Sequence, residues 1–275
     1  MSAPRRKNMI PIADYHMHTP LCGHAEGLPE EYAAQAIKIG LEEIGFSDHA
    51  PFVVKELPGI TMKREELPAY HRMIEEAREQ FKGRLTIRLG IEADFIPGYE
   101  KKTKAILSAY PYDYVIGSVH FIKEWGFDNP EEREKWKEQD VSSVYRDYHN
   151  FLRQAARSGL FDIMAHVDLV KKFGHRPTGD LTDDLRQTAK VFKDTGVVIE
   201  INTSGLRKPV GEIYPSLPNL KIYCQEGVPL TFGSDAHKPE EVGWDYGKAM
   251  KLAQEAGYKE YVMFKGRKIY RKISL

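Results

Sequence analysis

The segment 14–27, DYHMHTPLCGHAEG, puts His16, His18 and His24 within nine residues, the first two separated by a single residue. Other polar side chains recur where short apolar runs end: Asp48 with His49, Glu92, His120, His166, Asn202 with Ser204, and Asp235 with His237. His16, His18, His24, His49, Glu92, His120, His166, Asp235 and His237 are nine candidate metal ligands. Their imidazole and carboxylate donors suit zinc, iron or manganese. Nine exceed the need of one tetrahedral ion and suffice for two or three if a carboxylate bridges. Glu92, the lone acid among histidines at a mid-chain run end, is the candidate bridge. A multinuclear site with open positions can both generate hydroxide and clamp an oxyanion.

Elements that could position these residues follow from the apolar pattern. Short β-branched runs at 9–18, 41–49, 85–95, 112–121, 161–169, 196–204 and 228–237 alternate with amphipathic stretches, the sequence form of βα units. Helical spacing covers 29–40, 65–81, 141–158, 181–195 and 239–256, and 257–275 reads as an extended tail. Seven strand–helix units predict an α/β barrel, or a distorted one, spanning the whole chain as one domain, with residues 1–8 a flexible leader. In a parallel barrel the C-terminal strand ends share one face, where active sites assemble. Residues two apart on a strand point the same way, so His16 and His18 share a side. An open doubly wound sheet is the alternative, but no GxGxxG follows the first run and no GxxxxGK[ST] occurs.

Composition narrows the classes. Of 275 residues, 41% are hydrophobic and 29% charged, which describes a globular chain able to bury a core. Lys+Arg and Asp+Glu both total 40, so no basic excess points to nucleic acid. Two distant cysteines, Cys22 and Cys224, make no disulfide framework, and a reducing cytoplasm is the expected compartment. No apolar stretch of signal-peptide length follows the basic MSAPRRKNMI, and no run approaches the ~20 apolar residues of a membrane span.

A single His-x-His pair, or one histidine at a strand end, is commonly just an exposed or hydrogen-bonded residue. The weight lies in seven of the ten histidines falling at or just after run ends. The other three show the ordinary case: His71 reads as a surface residue on a charged helix, His149 as helical and structural, and His175 as a loop residue near the mouth. Cys22, although beside His24, reads as a small loop residue and not a ligand.

The motifs DYHMHTPLCGHAEG, GFSDHAP, GIEADF, GSVHF, AHVDLVKKFG, EINTSGLRK and FGSDAHKPEEVG, running from about residue 14 to 243, resemble in order those of the polymerase and histidinol phosphatase (PHP) family. SDHAP, GSVHF and NTSGLRK are most similar to its monofunctional histidinol-phosphate phosphatase branch. The resemblance implies a distorted (β/α)7 barrel holding three metal ions. One ion would take His16, His18, Glu92 and Asp235, a second Glu92, His120 and His166, and a third His24, His49 and His237. It further implies hydrolysis of the small molecule L-histidinol phosphate, within histidine synthesis, by hydroxide held between the first two ions.

For that reaction Arg207 is the candidate phosphate clamp, with Lys208 behind it and His175 near the substrate. Asp48 or Asp235 is the candidate for directing a proton to the leaving group, with water on the third ion as the alternative source. Glu212, Asp168 or Asp94 would meet the substrate ammonium. The alternatives are a PHP phosphoesterase for another small monoester and a non-catalytic metal-binding protein. Missing ligands would mark the latter, and none is missing. An amidohydrolase would carry a bridging lysine at a strand end, and none stands there.

Overall fold

The structure is a computed structural model that describes residues 13–275. The expected leader at 1–8, and the start of the first run, lie outside the described residues. In chain order the strands and helices are β1 (Ala13–Asp14), α1 (Pro29–Ile39), β2 (Glu43–Phe46), α2 (Leu67–Gln80), β3 (Thr86–Leu89), β4 (Glu92–Asp94), α3 (Glu100–Leu107), β5 (Ile116–Ser118), β6 (Phe121–Ile122), β7 (Trp125–Gly126), α4 (Val141–Arg157), β8 (Ile163–Met164), α5 (Thr182–Thr195), β9 (Val198–Asn202), α6 (Leu217–Gln225), β10 (Leu230–Gly233), α7 (Tyr246–Ala256), β11 (Glu260–Lys265) and β12 (Lys268–Ser274).

Two parallel sheets, β1-β2-β3 and β10-β9-β8-β5-β4, carry the βα alternation. Backbone hydrogen bonds join them at both seams. At one, His18 N donates to Ala236 O (2.9 Å) and Ala236 N to His16 O (3.1 Å). At the other, Glu92 N donates to Asp48 O (3.1 Å) and Ala50 N to Glu92 O (2.7 Å). With β3 and β4 forming one interrupted stave, seven staves close into a distorted (β/α)7 barrel, so few strand-edge groups are left unpaired.

The run at 85–95 breaks between β3 and β4 for a packing reason. Gly90 lies against the Tyr114 ring, where a Cβ would collide, and Gly45 meets the same side chain from β2. Tyr114 is fully buried and donates its hydroxyl to Tyr15 O at 2.6 Å, so it crosses the barrel interior and leaves no room at either glycine.

Helices form where the stripe and the end signals agree. On α4 the side chains of Val144, Tyr145, Tyr148, Leu152, Ala155 and Ala156 are buried along one stripe, and Asp140 caps the start by accepting from Ser142 N. α1 opens on Pro29 and closes at Gly40 with φ 87°. Two helices, α3 and α6, were not anticipated; both are short, and neither carries a side-chain N-cap hydrogen bond. The stretch 239–256 is not one helix: a single 3-10 turn at Pro239–Glu241 is followed by positive φ at Gly243 and Asp245 before α7 begins. The tail is extended as expected and folds back as the antiparallel hairpin β11–β12. That hairpin lies under the barrel, with Phe264 N donating to Tyr15 Oη (3.0 Å) and Tyr270 Oη to Glu43 (2.7 Å).

His71 is not a surface residue. It is buried on α2 with its ring against Tyr110 (3.5 Å between centroids) and Nε2 3.0 Å from Tyr112 Oη. It stands three residues before the buried Ile74, on the inward stripe that the neighbouring charges obscure. His149 is buried on α4, with Nδ1 3.4 Å from Thr188 Oγ1. No helix among the described residues is long and apolar enough to cross a membrane.

Two measurements check this packing. Gly90→Ala should destabilise the fold by about 1–3 kcal/mol in urea titration, because Tyr114 has nowhere to move. Burial, then Arg153, depresses the His149 imidazole to about 4. The unfolded chain therefore takes up this proton first, and its contribution, full above about 6.5, is lost as pH falls toward 4. The non-titrating His149→Gln should show a shallower fall in stability across that window, and an unchanged slope would refute this assignment.

Candidate metal centre

The strand ends converge on one buried acid. Glu92, 1% exposed, turns Oε2 toward His16 Nε2 (3.2 Å), His18 Nε2 (3.7 Å) and His49 Nδ1 (3.0 Å). Its Oε1 faces His166 Nε2 (3.3 Å) and His120 Nε2 (3.9 Å) and accepts from the Ser118 hydroxyl. Asp235 Oδ1 lies 3.2 Å from His18 Nε2 and 3.8 Å from His16 Nε2. His237 Nε2 and His24 Nε2 approach to 3.0 Å, and the His237 ring stacks on His18 at 4.0 Å. All nine sequence candidates therefore lie in one cluster.

Within it, His16/His18/Asp235, His18/His49/Glu92, Glu92/His120/His166 and His24/His49/His237 each bring three donor atoms within 4.8 Å of one another. His16 Nε2, His18 Nε2 and Glu92 Oε2 are buried with no hydrogen-bond partner, although they face each other. Buried polar atoms aimed at a common point and left unbonded are what a cation would satisfy, so the donor set fits a metal.

Behind these donors a set of acceptors fixes the imidazoles. His16 Nδ1 meets Glu200 Oε1 at 2.7 Å, His18 Nδ1 meets Asp48 Oδ1 at 3.4 Å, and His120 Nδ1 meets Asp94 Oδ1 at 2.9 Å. Backbone carbonyls do the same for the exposed His24, through Cys22 O (3.3 Å), and for the partly buried His237, through Asp235 O (3.0 Å). Each pairing places a proton on Nδ1 and turns Nε2 toward the cluster, the atom that would bind a cation. His166 and Asp235 hold left-handed backbone, φ 28° and 54°, an unfavourable conformation retained where it aims ligands inward.

Charge divides the cluster. Burial opposes protonation of His16, yet Glu200, Glu92 and Asp235 outweigh it and hold the imidazole well above its ordinary value. His120 is likewise raised to about 10, Asp94 prevailing over burial. Conversely, burial, with His49 and His18, lowers His24 to about 4. Burial favours a neutral Asp235, but His16, His18 and His237 hold it well below the usual carboxylate range.

The remaining candidates fall differently. Asp48 is fully buried behind His18 and accepts from the Thr19 hydroxyl and from His49 N (2.8 Å). Arg207 Nη2 donates to Ser234 O (2.9 Å) and Asp235 O (3.1 Å), its Nε pairs with Glu241 (3.2 Å), and only Nη1 is left buried without a partner. Lys208 is exposed, within the field of Asp235 and Arg207.

His175 stacks on Trp136 (4.4 Å, 12°) and makes no hydrogen bond or ion pair with the cluster among the described residues. Glu212 is half-exposed and paired with Arg176 (2.7 Å) and Lys171 (3.2 Å). Asp168 is buried against Lys171 (3.0 Å), and Asp94 serves His120. The three carboxylates considered for a substrate ammonium are thus already engaged. Cys22 Sγ is buried, donates to Thr19 O (3.2 Å), and lies within 4.8 Å of donors on His18 and His237, closer to the cluster than its reading as a loop residue implied.

Sequence reasoning missed two acids. Glu200 is the middle residue of a strand buried at every position, and a charge inside such a run was the available signal. Asp128 pairs with Lys172 at 2.9 Å; burial disfavours its charge, but Lys172, His120 and His166 hold it below its ordinary range. Nothing in its local sequence marks it. Because Asp94 orients only His120, Asp94→Asn should weaken metal binding about 10- to 100-fold at the Glu92/His120/His166 group, read by metal titration of the purified protein.

The PHP domain family model matches residues 14–204. A Deinococcus radiodurans protein named "Probable histidinol-phosphatase" is 43% identical over 95% of this chain and 99% of its own length. The "Histidinol-phosphatase" of Bacillus subtilis is 31% identical over 85% of this chain and 96% of its own. Among solved structures, the histidinol phosphate phosphatase of Lactococcus lactis, in complex with zinc, L-histidinol and phosphate, superposes with TM-score 0.83 at 24% identity, covering 96% of this chain and 100% of that one, a likeness of fold. From its family match and from relatives this similar along nearly their full length, the chain belongs to the PHP domain family.

Proposed function

We propose that this chain hydrolyses L-histidinol phosphate to L-histidinol and phosphate, using metal ions held at the strand-end cluster. The observation that carries the reading is the convergence of nine imidazole and carboxylate donors around Glu92, three of their atoms buried and unbonded. The substrate comes from the names of relatives that share most of the chain.

His16, His18, Glu92 and Asp235 would hold one ion, Glu92, His120 and His166 a second, and His24, His49 and His237 a third. Zinc, iron and manganese all suit these donors. When bound, such ions supply Lewis acidity, neutralising phosphoryl oxygens and making water acidic enough to react near neutral pH.

The chain's own residues then divide the work of positioning. Arg207 holds the Ser234–Asp235 carbonyls, which keeps Asp235 in its left-handed conformation, and its Nη1 is the donor left for a phosphate oxygen. Lys208 adds an exposed positive charge beside it. Asp48 orients His18, and Asp235, kept ionised by its histidines, acts as a ligand; neither is suited to deliver a proton to the leaving group.

The deciding experiment is phosphate release from L-histidinol phosphate and a small panel of other monoesters, with metal content measured on the same protein. Strong preference for L-histidinol phosphate, loss on chelation and recovery with added metal are expected. Equal, slow turnover across the panel would replace this reading with a PHP phosphoesterase for another small monoester. Full metal loading without turnover would leave a non-catalytic metal-binding protein.

A further inference from the structure

We infer that Glu200 is a positioning residue that couples two of the metal positions, so that loosening it releases both ions together while the third stays. The inference rests on the metal assignments above. Glu200 is 1% exposed, in the middle of β9, and both of its oxygens are committed. Oε1 meets His16 Nδ1 at 2.7 Å. Oε2 accepts from the backbone N–H of His166 at 3.1 Å and from Asn202 Nδ2 at 2.9 Å. Glu200 belongs to none of the groups whose donor atoms come within 4.8 Å of one another, and both of its oxygens face ligands or their supports, so it acts as a brace.

What it holds is unusual in its reach. His16 belongs to the group with His18 and Asp235, whereas His166 belongs to the group with Glu92 and His120. One carboxylate thus sets the ring of a ligand in one group and the backbone of a ligand in the other. His166 is also the residue at φ 28°, and Glu200 holds its N–H while Tyr148 Oη (3.0 Å) and Leu169 N (2.7 Å) hold its carbonyl. Through Asn202, whose Nδ2 also lies 3.4 Å from Asp235 Oδ2, the same brace touches a second ligand of the first group. None of these contacts reaches His24, His49 or His237.

The barrel makes room for this arrangement on the neighbouring strand. A Cβ at Gly233 would overlap Glu200 Oε1 and press on the Cβ of His16 at 2.7 Å, so the glycine lets the carboxylate lie flat between β10 and β1. The geometry is that of a rigid part bearing on two sites at once, and a displacement of it is felt at both.

The test is stepwise chelation of the metal-loaded protein, counting metal equivalents retained by wild type, Glu200→Gln, Asp94→Asn and Asn202→Ala. Thermal midpoints of the metal-free forms report folding separately. Glu200→Gln should release two equivalents together at chelator concentrations about 10- to 100-fold below those needed for wild type, with the third unchanged. Asp94→Asn should release one, and Asn202→Ala should shift the same two as Glu200→Gln by less.

Retention of all three ions by Glu200→Gln, or loss of all three at once, overturns the inference. So does paired release in Asp94→Asn, which would make Glu92 the coupling residue. If Glu200→Gln does not fold, Asn202→Ala decides, and wild-type behaviour there overturns the inference. A wild type that takes up no metal removes the functional reading itself, a result distinct from all of these.

Discussion

Burying the Glu92 carboxylate is the constraint around which the barrel is arranged. A carboxylate removed from water is costly unless opposite charge or hydrogen bonds surround it. Here one hydroxyl and five imidazoles do so, supplied by the ends of β1, β2, β5 and β8. No short segment could supply them, because the donors lie up to 150 residues apart in the chain. Only a closed parallel barrel brings that many strand ends to one point, so the architecture and the acid require each other.

The imidazoles themselves are held from behind. Glu200, Asp48 and Asp94 each accept from the ring nitrogen turned away from the cluster. These acids fix orientation and tautomer, and they make the carboxylate end of the cluster attractive to cations. The far end of the barrel is closed by other means: Tyr15, Tyr114 and the C-terminal hairpin fill it, with Glu43 bonded to Tyr15, Arg88 and Tyr270. The fold therefore has one working face and one sealed face.

The working face was the more legible of the two in the sequence. Ligands such as His16, His18 and Glu92 sit where an apolar run gives way to polar residues, and that transition can be read locally. The acids behind them cannot, because the meaning of Glu200 depends on His16, 184 positions away. The break between β3 and β4 was hidden for the same reason, being set by Tyr114 from the segment leading into β5. His71 was misplaced because Arg72, Glu75 and Glu76 mask a stripe through Tyr70, Ile74 and Ala77. Short α3 and α6 carry too few turns for periodicity to register.

The group His24, His49 and His237 contains no carboxylate, whereas the two groups around Glu92 do. A divalent cation held among three neutral imidazoles would keep its formal charge of about +2, whereas two such ions sharing Glu92, with Asp235 on one of them, would have about half of their combined charge offset. His24 is also exposed to solvent. Loaded with ions, the cluster would therefore be electrically lopsided: its outer rim would present the less compensated charge, on the side open to solvent.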